Sequence, residues 1–483
     1  MKWPAAALAA LPVAVLVHAP LAASGVRWSA LDWAQGRAVL VTLVWAAAVA
    51  AASTMLAAGA ALALWTQGRR LAHAALLAAP LPAYLHALAW LPWLRTSWLD
   101  PRGAGPWLAA GWVMTLACLP LAFAIVWTRL RRLDGRLVDA ALLHEDMPRA
   151  LARVVAPLWR PALGGAASLV FLLSVTEFTV PSLFAADPWT LEIFTEFSAT
   201  QDAAVAAGLS LPLLLGALPA LAVLLMWART PAPAQGEPPA GFVPSGWMMA
   251  AAGVLALGCA LPVASLVRQA AGTPLASLGP GPWRDAWTSF STAAVAAGGG
   301  ALLAAPLAWH LARTGALWPW LLALAPLAAP APLAGAGLIT LWNRDAVPGL
   351  YGSPAMLVLA AWARFLPVAV LAMAVAWKRV DPRLISAAHL HGGMARALAR
   401  VTVPLLAPGA LAAAALVFLL SLSELGATLL VAPPGGGTLS IRLYNYLHYG
   451  AAGPVAWLAL LLAAGAAAAG WPLAARFVPR RRM

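Results

Sequence analysis

The chain has 483 residues, of which 63% are hydrophobic and 10% charged, and its mean hydropathy is +0.83. A soluble domain needs roughly a quarter of its residues charged to cover its surface, so these proportions exclude one and describe a polytopic membrane protein. The net charge of +14 does not indicate nucleic acid, because the basic residues sit in short turns between apolar runs instead of clustering on a water-facing fold.

A membrane span needs roughly 20 mostly apolar residues. In chain order the first half offers runs near 5–23, 38–65, 72–93, 106–128, 161–185 and 203–227. The second half offers 246–267, 288–311, 315–341, 353–377, 405–432 and 453–475. The expected fold class is an all-α polytopic membrane protein with about 12 transmembrane helices. Lys2, the first run and Ala22-Ala23-Ser24-Gly25 together have the form of a cleaved signal peptide. A run lies at the equivalent place in the second half, however, so a retained first span is expected. Cys118 and Cys259 fall inside apolar runs without metal-ligand spacing and read as small buried hydrophobes. Trp90, Trp93 and Trp98 cluster at a run end, as interfacial anchors do.

From Arg229 to Gly241 the chain is rich in Pro and Gly and has no periodicity, the composition of a linker. The expected organisation is a first half over 1–228, a cytoplasmic linker over 229–245 and a second half over 246–483. With the N-terminus assumed cytoplasmic, 21 of the 30 Arg and Lys residues fall inside and eight outside, with Arg364 left within a span. That bias orients the chain with both termini in the cytoplasm.

One stretch occurs twice. Asp139-Ala-Ala-Leu-Leu-His-Glu-Asp-Met-Pro-Arg-Ala-Leu-Ala-Arg-Val-Val-Ala-Pro157 lies 247 positions before Ser386-Ala-Ala-His-Leu-His-Gly-Gly-Met-Ala-Arg-Ala-Leu-Ala-Arg-Val-Thr-Val-Pro404. The register continues from Val170-Phe-Leu-Leu-Ser174 to Val417-Phe-Leu-Leu-Ser421, and from Glu177 to Glu424. An ungapped match of this length is an internal duplication. Two six-span units of even number point the same way, so they should be parallel repeats related by an axis along the membrane normal.

Both islands, within loops 129–160 and 378–404, fall on the cytoplasmic side. Each reads as a short helix that a proline closes before the next span. Arg149 and Arg153, or Arg396 and Arg400, share one face at i, i+4. The pairs Ala140-Ala141 and Ala387-Ala388 leave a surface on which another protein packs closely. A helix held by anionic lipid would also be basic, but lipid anchoring requires no common register in two copies. His144, His389 and His391 lie in the islands and read as polar side chains facing water, because a metal held there would lie away from any solute path.

On these residues the chain resembles the permeases of ATP-binding-cassette importers. Their loop reads Glu-Ala-Ala-x3-Gly and ends in hydrophobic-x-Leu-Pro. The second copy keeps Ala387, Ala388, Gly392 and Pro404, with Ser386 in place of the glutamate. The first keeps Ala140, Ala141 and Pro157, with Asp139 for the glutamate and Glu145 for the glycine. Both copies are one residue shorter before the proline. The stretch from Ser421 to Tyr446 is similar to the fused, two-copy permeases of the iron(III)/thiamine group.

The resemblance implies a type I importer permease whose islands couple to two cytoplasmic ATPase subunits, with Asp139, Ala140, Ala141, Glu145, Arg149, Pro157, Ser386, Ala387, Ala388, Gly392, Arg396 and Pro404 at the contacts. It implies an external solute-binding protein, a bacterial inner-membrane location, and iron(III) first and thiamine second as solute. The chain would be a transport subunit and not an enzyme. It has no Gly-rich loop ending Gly-Lys-Ser/Thr, so ATP and magnesium are expected on partner subunits and no cofactor on this chain.

Glu177 and Glu424 are carboxyls just inside apolar runs at equivalent places. Such groups are costly in a membrane and often line a pathway. Their competing role is a hydrogen bond that fixes a helix bend, for which the flanking Ser and Thr residues supply partners. That packing role is preferred here. Arg364 has no counterpart, since Ala117 fills the equivalent place, and either gates or snorkels. The alternative function is a secondary transporter using Glu177 and Glu424 as ion sites. A membrane-embedded enzyme ranks last, because no catalytic cluster is apparent.

Overall fold

The computed structural model describes residues 13–15, 32–67, 81–95, 103–230, 250, 253–254, 256–314, 316–345, 347–448 and 452–477. Those residues form helices and turns and no strand. Backbone in lipid must satisfy its hydrogen bonds within its own segment, and long apolar runs do this as helices. In chain order the helices are α1 (Trp33–Gln67), α2 (Ala83–Arg95), α3 (Gly105–Leu130), α4 (Arg136–Ala141), α5 (Met147–Ala150) and α6 (Ala156–Val175). Next come α7 (Thr179–Leu183), α8 (Trp189–Thr200), α9 (Ala203–Arg229), α10 (Leu261–Ala271), α11 (Gly281–Arg313), α12 (Leu317–Leu324) and α13 (Ala331–Trp342). The last are α14 (Ala355–Trp377), α15 (Pro382–Ala397), α16 (Val403–Ser423), α17 (Thr428–Val431), α18 (Leu439–His448) and α19 (Ala452–Phe477).

Among the described residues seven helices are long and apolar enough to cross a membrane, or eight if one bent pair counts as a span. The chain is thus a polytopic, all-helical membrane protein. The expected run 5–23 lies almost wholly outside the described residues, as do the linker beyond Thr230 and the start of 246–267. The run 72–93 is described from 81 onward, where α2 lies, and 453–475 is helical as α19.

One expectation is corrected. The run 315–341, read as a single span, is a helix pair bent by 106° between Ala328 and Ala331. Pro326, Pro330 and Pro332 crowd the bend. The residue before a proline is driven out of the helical region, and Ala329 is extended at φ −80°, ψ 129°. Proline does not interrupt an apolar window, so hydropathy runs through a bend that the backbone cannot. The resulting α13 is short and rich in Ala and Gly, and it packs against α8 and α9.

Two helix triples carry the core. In one, α1, α3 and α6 pack on each other; in the other, α11, α14 and α16 do. Lipid tails give no hydrophobic drive between helices, so close approach of small residues and interhelical hydrogen bonds must hold them. The tryptophans supply many of those bonds. Trp45 donates its indole N–H to the Trp107 carbonyl at 3.1 Å, Trp159 to Val126 at 3.0 Å, Trp362 to Ala296 at 2.9 Å and Trp377 to Ala305 at 2.9 Å. Interfacial anchoring therefore accounts for only part of the tryptophan content.

Hydroxyls fix the short helices to the triples. Thr42 of α1 accepts from the Trp189 N–H at 2.9 Å, and Ser289 of α11 accepts from the Leu439 N–H at 2.7 Å. The two hydroxyls stand 247 positions apart, the offset of the doubled islands. Arg442 of α18 is further held by an ion pair to Asp285 of α11.

Candidate functional site

Two features were singled out by the sequence: the apolar-embedded carboxyls and the paired islands. The carboxyls come first. α6 ends at Val175 and α16 at Ser423, each just before its glutamate, and a short helix begins a few residues later. Glu177 accepts from the Thr179 N–H at 2.7 Å, and Glu424 from the Ala427 N–H at 2.7 Å. Each carboxylate thereby satisfies a backbone donor that the break in the helix would leave orphaned. The bend-fixing role is real for both.

The structure also brings the two glutamates to one arginine. Arg364, from α14, forms an ion pair with Glu424, and its second amino group donates to the Thr176 hydroxyl at 3.2 Å. Glu177 is the neighbour of Thr176 in sequence, and its carboxylate lies within the field of both Arg364 and Glu424. The Arg364 and Glu424 side chains are only 12% and 3% exposed. Arg364 therefore does not snorkel. It sits between residues from both halves of the chain, with two carboxylates to one guanidinium.

Backbone is close-packed around this cluster. A Cβ placed on Gly426 would meet the Ala331 Cβ at 2.6 Å and the Phe178 ring at 3.0 Å. Gly426→Ala is accordingly expected to lower stability by about 1–3 kcal/mol, the usual cost of overpacking. Gly298→Ala, in the middle of α11 with nothing within 4 Å of its added Cβ, should raise it by up to about 1 kcal/mol through helix propensity. Thermal unfolding of the two variants in one detergent checks the opposite signs.

The islands share one architecture. Asp134 caps the first by accepting from the Arg136 N–H at 3.1 Å, and Asp381 caps the second by accepting from the Arg383 N–H at 2.9 Å. A helical segment follows in each and then breaks. The break falls at Asp146, which is extended at ψ 161°, and at Gly393, which has φ 74°. A π turn then joins each island to its span, over Leu151–Val155 and Leu398–Thr402. All three features recur at the offset of 247. The first 12 residues or so after each cap therefore form an elbow and not one straight helix.

This corrects two expectations. Pro157 and Pro404 do not close the islands; the helix runs through them into α6 and α16. Each proline stands two residues beyond a π turn, whose i→i+5 bonds shift the hydrogen-bond register just ahead of the position that lacks an N–H. The arginines do not act as a matched pair either. Arg149 lies 3.8 Å from Asp146, while Arg153 reaches back to Glu145. The second island has Gly392 and Gly393 at those acidic positions.

The sequence did not single out the most exposed leucines among the described residues. Leu143 and Leu390 are 79% and 84% exposed, and Leu137 and Leu384 are 49% and 52% exposed. The members of each pair are again 247 positions apart. Ala140 and Ala387 are exposed beside them, with Ala141 and Ala388 half-buried, while Asp139 is half-buried and Ser386 exposed. Each elbow thus shows water two leucines and a small-residue patch flanked by arginines.

No family model matches the chain. A curated protein of Haemophilus influenzae, the Fe(3+)-transport system permease protein FbpB 2, is 26% identical over 416 residues, which cover 79% of this chain and 78% of the relative. The similarity spans most of both proteins, and the resemblance read from the doubled islands is borne out.

Proposed function

We propose that the chain is the permease subunit of an ATP-driven, binding-protein-dependent importer of the bacterial inner membrane. Its two halves, each of six spans, would form the solute path between them, with both termini in the cytoplasm. The observation that carries the coupling role is the pair of matching elbows with matching exposed leucines. A docking surface repeated in register suits two copies of the same partner, and the partners that fit are two ATPase subunits carrying ATP and magnesium. An amphipathic element that lays exposed leucines into a partner's groove follows a recurrent mode of recognition.

The solute reading rests on the relative, whose name assigns iron(III) to it; thiamine or another small solute comes second. The cluster of Glu177, Arg364 and Glu424 is the proposed constriction. The hydrogen bond from Arg364 in the second half to Thr176 in the first joins the halves there, while Arg364 and Glu424 remain paired within the second half. When the halves separate, the Thr176 hydroxyl and the Glu177 carboxylate are the oxygen donors released to face the path, hard ligands suited to a trivalent cation. Carboxylates occupied in this way by a guanidinium and backbone N–H groups do not favour an ion-gradient carrier, and such a carrier needs no docking elbows.

The test is reconstitution of the chain in liposomes with a candidate ATPase subunit and a candidate binding protein. Solute uptake and solute-stimulated ATP hydrolysis are expected only when all three components are present. Uptake that proceeds without the ATPase, driven by an imposed proton gradient, would establish the secondary-transport reading instead.

A further inference from the structure

Where the second elbow joins α14, the chain is tightly built. The Lys378, Arg379 and Val380 N–H groups close turns onto the Ala374, Ala376 and Trp377 carbonyls, each at 3.1 Å. Ala376 of α14 and Val380 just past it are buried together with Leu406 of α16, and Ile385 of the elbow packs against them. Asp381, the cap of α15, stands three residues beyond Lys378. Close-packed interiors transmit displacement instead of absorbing it, so the root of this elbow, the end of α14 and the start of α16 move as one piece.

From that piece the Lys378 side chain crosses to the other half. It donates to the Ala228 carbonyl and, at 3.0 Å, to the Thr230 carbonyl, both at the end of α9, the last helix of the first half. A helix leaves its last carbonyls without partners of its own, and here the partner lies 150 and 148 positions away. Lys378 follows directly on the end of α14, where a cation offsets the dipole of its own helix. That role needs no hydrogen bond to a second helix. The place even disfavours the charge, since burial and the nearby Arg229 push the ammonium down to about 8. The two carbonyls are what hold it there.

Little else joins α9 to α14. The two helices touch only briefly, and beside Lys378 lies a cavity of about 70 Å³, walled by α3 and α9 of the first half and by α12 and α14 of the second. A gap with room for water passes no force, so the bonds of the lysine carry the connection at this level. We infer that Lys378 is a positioning residue for coupling: it ties the root of the second elbow to the end of α9, so that a partner displacing this elbow moves both halves. The inference rests on the proposed transport function for the identity of that partner; the tie itself does not.

Two measurements on the full chain test it. Lys378→Met removes the donors at similar length and should fold, because burying a cation is itself costly; Lys378→Arg keeps a long donor. Spin labels at Leu384→Cys and Met226→Cys, both exposed positions, report the distance from the elbow to α9 in nanodiscs, with Cys118→Ala and Cys259→Ala as background. The distance distribution should broaden in Lys378→Met and return to that of the parent in Lys378→Arg. In liposomes with the ATPase subunit and the binding protein, Lys378→Met should lower solute taken up per ATP hydrolysed by at least about threefold. Co-purification of the ATPase subunit should be unchanged, and Lys378→Arg should restore the ratio. An unchanged distribution refutes the tie, whatever drives transport. A broadened distribution with an unchanged ratio makes Lys378 a helix cap and refutes its part in coupling. If the parent chain itself shows no ATP-driven uptake, the proposed transport function fails, and the label distances alone decide the tie.

Discussion

Arg364→Leu is expected to cost about 3–5 kcal/mol of stability, because it leaves a buried carboxylate without its counter-charge. Arg364→Leu/Glu424→Leu should recover most of that loss, since replacing both members of a buried ion pair by apolar groups is often neutral. Uptake should be lost in both variants. The reasoning starts from the burial of the pair, with Glu424 only 3% exposed. With the arginine gone, the Ala427 N–H is the one bond left to Glu424 among those described, and it cannot balance a full charge away from water. The Thr176 hydroxyl also loses its contact, and Glu177 loses a favourable field. Denaturant unfolding of wild type, both single variants and the double variant gives the interaction energy directly. Strictly additive effects would mean that the two side chains do not depend on each other, and the constriction assigned to them would have to be abandoned.

Much of this was legible in the chain. The offset of 247 appears in the islands, in the carboxyls and in the hydroxyls that dock α8 and α18. A duplication preserves register, and register survives in one dimension. What escaped was whatever depends on how elements meet. Arg364 stands on α14 with Ala117 opposite it in the repeat, so no pattern links it to Glu424, which lies 60 positions away. The bend before α13 was hidden because proline leaves the mean hydropathy of a window high while breaking its backbone. The π turns were hidden for the converse reason. A proline reads as a stop, yet an extra residue in the preceding turn lets the helix continue through Pro157 and Pro404. Nothing in the one-dimensional pattern distinguishes Leu143 and Leu390 from other leucines, and only the elbow shows that nothing among the described residues covers them.

Those leucines give the second large effect. Leu143→Asp combined with Leu390→Asp should abolish solute-stimulated ATP hydrolysis in the reconstituted system while leaving the unfolding temperature unchanged. Fully burying a leucine contributes about 1.5–3 kcal/mol, and a factor of ten in affinity is about 1.4 kcal/mol. Each substitution alone should therefore weaken capture of an ATPase subunit by about ten- to a hundredfold. The fold should not notice, because both side chains already face water. Gly392→Glu makes the informative contrast. Its Cβ would sit 3.2 Å from the Arg396 Cβ and Cδ, but Arg396 is exposed and its side chain can move aside. The first island already carries Glu145 at that register and pairs it with Arg153; Arg400 stands ready to receive the introduced carboxylate in the same way. Gly392→Glu should consequently be mild where Leu390→Asp is severe, and co-purification of the ATPase subunit with each variant separates the two. If the glycine proves critical and the leucines silent, the grip lies in close backbone approach and not in the apolar knobs.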